Sequence, residues 1–65
     1  MRINGTGSPT AARDLGKLLV AQGIDPATRY LAVAVNGTVV PRGQWSAYRL
    51  GADDDVEIVR PREGG

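Results

Sequence analysis

Cysteine, histidine and phenylalanine are all absent from the 65 residues of this chain. Without cysteine no disulfide staples the fold, and no thiolate can ligate a metal or attack a substrate. Without histidine the commonest general base and the commonest metal ligand are missing. What remains is acid, base and hydroxyl chemistry on one short domain with little room for a buried cleft. A free-standing enzyme is not expected, nor is a bound cofactor or metal. A chain of this size also exposes much of its surface when folded, so its stability margin is thin. Aromatics are scarce: Tyr30, Trp45 and Tyr48 are too few for base-stacking platforms. Charge of one sign is missing as well, since eight basic and seven acidic residues leave a net +1. The basic residues are scattered rather than striped, which argues against a nucleic-acid partner. No charged start leads into a long apolar run, and nothing approaches the length of a membrane span. The expectation is a soluble, cytoplasmic domain, a monomer when alone, with no membrane partner. Two Asn-Gly-Thr triplets, at Asn4 and Asn36, then read as turns rather than glycosylation sites.

Glycine, by contrast, is plentiful, with nine residues, and it punctuates the chain. Met1-Arg2-Ile3 is a brief apolar–polar alternation that stops at Asn4-Gly5, a hairpin signal. Thr10-Ala11-Ala12 is the expected returning strand, weak because alanine contributes little across a sheet. Asp14 is a good N-cap for a helix carrying Leu15, Leu18 and Leu19 at helical spacing, with Gly23 as its stop. Gly16 inside that helix costs roughly 1 kcal/mol relative to alanine, so the helix depends on packing. Leu31 to Val35, Asn36-Gly37 and Thr38 to Val40 read as strand, turn and strand, ended by Pro41. Gln44 to Leu50 fits a single helical turn. Asp55 to Arg60 reads as the last strand, with Val56 and Ile58 on one face. Pro61 stops it.

The element order is therefore β, β, α, β, β, β. One helix can bury its leucines only by lying across a face of the sheet. It also supplies the crossover that lets a later strand run parallel to the first. The expected class is α+β, a ubiquitin-like β-grasp with a mixed sheet of four to five strands. Residues 1–60 form the domain, and residues 61–65 are expected to be a flexible tail ending in Gly64-Gly65.

The run Ala32-Val33-Ala34-Val35-Asn36-Gly37, then Val39-Val40-Pro41-Arg42, Trp45, Val56-Glu57-Ile58-Val59 and the terminal Gly64-Gly65 resembles the ThiS family of sulfur carrier proteins. The similarity runs from Asp14 to the C-terminus, and Ala32 to Trp45 is its specific part. A terminal Gly-Gly is shared with other ubiquitin-like carriers. Two departures stand out: the first strand is short, and Asp53-Asp54-Asp55 occupies a turn that commonly reads Gly-Asp. The latter predicts a looser turn with three repelling carboxylates.

The resemblance implies a protein co-substrate of thiamine (thiazole) biosynthesis. A free carboxylate is a poor acyl donor, so an E1-like adenylyltransferase of the ThiF type would join Gly65 to AMP, using its own ATP and Mg²⁺. Sulfur from a cysteine desulfurase or a rhodanese-like protein would then convert Gly65 to a thiocarboxylate, which the thiazole synthase ThiG would consume. Gly64 keeps the path to that carbonyl open, since glycine reaches backbone conformations closed to other residues. Docking candidates near the last strand are Trp45, Val39, Val56, Ile58, Arg60 and Arg62. For the apolar members a place in the core is the competing reading. Other acceptors (molybdopterin, cysteine or tRNA thiolation), a protein modifier forming isopeptide bonds, and a non-covalent adaptor remain open from the residues alone.

Overall fold

A computed structural model describes residues 1–8 and 12–60. Its elements are β1 (Arg2–Ile3), β2 (Thr6–Gly7), α1 (Leu15–Ala21), β3 (Ala32–Val35), β4 (Thr38–Val39), a 3₁₀ helix (Arg42–Ala47) and β5 (Asp55–Val59). The strands form one five-stranded mixed sheet in the order β2-β1-β5-β3-β4. β5 sits at its centre, parallel to β1 and antiparallel to β3. One helix crosses one face, the β-grasp arrangement expected from the element order.

Both hairpins turn on Asn-Gly with positive φ at both residues: 51° and 82° at Asn4 and Gly5, 52° and 83° at Asn36 and Gly37. These are the left-handed values of a type I′ turn, whose twist matches that of the flanking strands. Such a turn returns the chain at once, and this corrects the expected second strand. The partner of β1 is Thr6–Gly7, in the register Ile3↔Thr6 and Arg2↔Gly7. Thr10 and Ala11 lie outside the described residues, and Ala12 packs against the core outside any strand.

The two-residue β1 is extended by a side chain. Its backbone bonds to β5 run from Arg2 N–H to the Asp54 carbonyl (3.0 Å) and from Asn4 N–H to that of Val56 (2.8 Å). The next rung is made by Asn4 Oδ1, which accepts from Ile58 N–H at 2.7 Å. A further contact with β5 is thereby made after the strand itself has turned away.

Helix α1 starts and stops as the caps dictate. Asp14 Oδ1 accepts from Lys17 N–H at 2.8 Å. At the other end Gly23, at φ 76°, donates to the Val20 carbonyl, and Ile24 N–H donates to that of Leu19. This 6→1 and 5→2 pairing is the Schellman motif, with Ile24 tucked into the core beside it. Leu15, Leu18 and Leu19 are fully buried, each stabilising the fold by about 1.5–3 kcal/mol relative to exposure. Gly16 has a packing role: a Cβ there would lie 3.6 Å from Ser46 Cα and 3.3 Å from Asp14 Oδ1. The missing side chain lets α1 approach the 3₁₀ helix.

The turn before β5 is tighter than three adjacent carboxylates suggested. Asp54 Oδ2 accepts from Gly51 N–H at 2.7 Å, and Asp54 Oδ1 accepts from Asn36 Nδ2 at 3.0 Å. Asn36 Oδ1 in turn accepts from Asp55 N–H at 2.9 Å. Two donors on one carboxylate offset the repulsion.

Candidate functional site

β5 is the element that leads toward Gly64-Gly65, so the surfaces beside it are those a partner handling the tail would meet. Arg62, Gly64 and Gly65 lie outside the described residues. The six docking candidates divide between core and surface. Val56 and Ile58 point under α1, and Trp45 packs into the same cluster. Its indole N–H donates to the Val40 carbonyl at 2.8 Å. Those three are corrected from surface candidates to core residues, because the helix covers one face of a sheet too small to leave apolar bulk unused. Val39 is exposed, as is Arg60 at the end of the described chain.

The opposite face of the sheet is open. Register places Val39, Ala34 and Glu57 in one row across β4, β3 and β5, and Ala32 beside Val59 in the next. Val39 and Val59 are 69% and 61% exposed, large for aliphatic residues in strands. Their methyls flank two alanines, giving a shallow apolar surface with Glu57 as the acid within it. Val59 was missed by sequence reasoning, although strand parity carried the signal: if Val56 and Ile58 face inward, Glu57 and Val59 must face outward.

Tyr30 was also missed. It is 82% exposed and holds φ at 61°, a left-handed conformation that is uncommon for an aromatic residue. It lies two residues before Ala32, whose cross-strand partner is Val59, and so stands near the point where the chain leaves β5. No sequence period reports a single residue with reversed φ.

Arg42 is a surface side chain with a structural task. Its guanidinium donates to the Pro26 and Thr28 carbonyls and lies 4.8 Å from the centre of the Trp45 ring. It ties the loop after α1 to the 3₁₀ helix. Electrostatically, the resolved perturbation is at Asp54, whose carboxyl is held below its ordinary value of 3.8 by the Gly51 N–H and then by Asn36. Among the described residues no group of acids could hold a metal ion, and no helix is long and apolar enough to cross a membrane. No side-chain nitrogen or oxygen is buried without a partner among them.

Comparison with known proteins places the whole chain in a family. The model of the ThiS family matches residues 1–65. The crystal structure of a thiamine biosynthesis protein (ThiS) from Geobacter metallireducens is similar, with a TM-score of 0.75 and 28% identity over 98% of this chain and 96% of that one. A solution structure of a thiamine biosynthesis protein from the same organism gives 0.78 and 27%, covering 98% of this chain and 85% of that one. No curated protein sequence matches the chain.

Proposed function

The chain belongs to the ThiS family, and from that premise we propose that it is a ThiS-type sulfur carrier of thiazole synthesis, with Gly65 as the residue that bears the sulfur. The observation that carries this reading is the extent of the match, which runs through residue 65 and so includes Gly64-Gly65.

The chemistry divides between carrier and partner. An E1-like enzyme of the ThiF type, with ATP and Mg²⁺, would couple the Gly65 carboxylate to AMP and release pyrophosphate. A sulfur nucleophile, from a cysteine desulfurase or a rhodanese-like donor, would attack the acyl carbon and expel AMP. With a persulfide as that nucleophile the product is an acyl disulfide. A thiol attacking its donor-side sulfur would release the thiocarboxylate on Gly65 and leave the donor in a disulfide, and thiazole synthase would then take the sulfur. In this scheme the chain is a co-substrate rather than an enzyme. Glycine at 64 and 65 removes side chains that would crowd the acyl carbon. Residues 61–65 act as the reach, up to about 17 Å for five extended residues, from a docking surface on the open face of the sheet. Val39, Val59 and Arg60 supply that surface, with Arg62 beyond it and Trp45, Val56 and Ile58 holding it flat from behind.

Intact-mass measurement tests the proposal directly. After incubation with ATP, Mg²⁺, a ThiF-type enzyme and a sulfur source, the expected result is a gain matching one oxygen replaced by sulfur, localised to Gly65. No gain, with the same enzyme active on another carrier, would overturn it.

A further inference from the structure

A second surface lies on the covered side of the sheet, where α1, the Pro26 loop and the 3₁₀ helix enclose an open groove of about 570 Å³. Val20 and Pro26 line it, Trp45 forms its floor, and Lys17 and Arg42 stand on its rim. Val20 is 65% exposed on a helix whose leucines are all buried, so the groove has an apolar wall that the fold itself does not use.

Its charge is unbalanced. The lining acid, Asp14, has one oxygen committed to the Lys17 backbone as the helix cap. The Lys17 ammonium has no partner among the described residues. Arg42 bonds only to carbonyls, which leave its positive charge unneutralised and some of its five N–H donors free. Of the nearby acids, Asp25 belongs to the Pro26 loop and has one oxygen committed to the Ala27 N–H, so the lining itself carries two cations against Asp14. The Asp54 carboxylate accepts from Asn36, at the hairpin end of β3, whereas Arg42 is tied to the loop that precedes the other end of β3.

We propose that this groove docks an acidic segment of a partner protein, with an apolar side chain seated between Val20, Pro26 and Trp45 and a carboxylate against Lys17 and Arg42. The site shares no residue with the open face of the sheet, so a carrier could be held here while that face is engaged elsewhere. The claim concerns binding alone and stands or falls separately from the sulfur chemistry.

The test uses the full chain and a blocked peptide of alternating glutamate and leucine. Trp45 is the single tryptophan, so its emission reports on the groove floor, and amide NMR locates the contact. Saturable shifts at Gly16, Lys17, Val20 and the Trp45 indole are expected. A glutamine–leucine peptide should bind about fivefold more weakly, the scale of a good exposed ion pair. Lys17→Glu should weaken the acidic peptide by a similar factor or more without lowering the melting temperature, because an acid in the first turn suits the helix dipole. Shifts on Ala34, Val39 and Val59 instead, equal affinity for the glutamine peptide, or no saturable shift would each overturn the proposal. So would the same shifts from inorganic phosphate alone, which would make the groove a small-anion site.

Discussion

Ile58 and Val59 are adjacent residues of one strand, similar in chemistry and opposite in fate. Ile58 is 8% exposed and Val59 is 61% exposed. Nothing in either side chain accounts for this. α1 lies over one face of the sheet, and among the described residues no helix lies over the other. In so small a domain, the covered face must provide most of the stability and the open face is free for contact. The proposed carrier role would give that freedom a use, as a surface for the enzymes that act on the tail.

Substitution should separate the two faces, and the largest effect is expected on the covered one. Ile58→Ala should cost about 2–5 kcal/mol, the range for truncating a buried aliphatic to alanine, read as a lower denaturant midpoint. A loss below about 0.5 kcal/mol, as for an ordinary surface change, would erase the distinction between the faces. Gly37→Val is next, because a β-branched residue at φ 83° is strained by about 1–3 kcal/mol. An unchanged melting temperature there would show that the hairpin tolerates another turn.

Asn36→Gly keeps the left-handed backbone and removes only the side-chain bonds to Asp54 and Asp55, for a loss of about 1–2 kcal/mol. Part of that loss is acid-sensitive. Asp54 is depressed below 3.8 when folded, so its contribution is present above that value and disappears as pH falls through the lowered one. Acid unfolding curves of the variant and the parent should therefore draw closer at low pH without meeting, since the bond to the Asp55 N–H does not titrate, and parallel curves would remove Asn36 as a cause. On the open face, Val59→Asp should change stability by less than about 1 kcal/mol while slowing loading by the activating enzyme. Unchanged loading would move the docking surface away from β5. Gly65→Ala should leave the melting temperature where it was and slow loading, the smallest structural effect of the set.

Much of this architecture was legible in advance, because its signals are local. Asp14, Gly23 and the leucine spacing mark α1; Asn36-Gly37 marks the second hairpin; Val56 and Ile58 mark the inward face of β5. The misreadings came from contacts between segments distant in sequence. The returning strand was placed too late because Thr6-Gly7 has no strand character of its own and pairs only because a type I′ turn delivers it to β1. Trp45 could have been read as a docking residue until its indole met the Val40 carbonyl. The three acids looked repulsive until Asn36, 18 residues away from Asp54, supplied a donor.

By itself the sequence determined the element order, the Asn-Gly hairpin turns and the helix limits. Each of these depends on backbone preferences within a few residues. Tertiary structure alone decided that Trp45 belongs to the core, that the Asn-Gly asparagines brace the central strand from both flanks, and that Lys17 and Arg42 share a groove. Those outcomes depend on which segments meet, and that is settled by where a single helix can lie to remove its leucines from water.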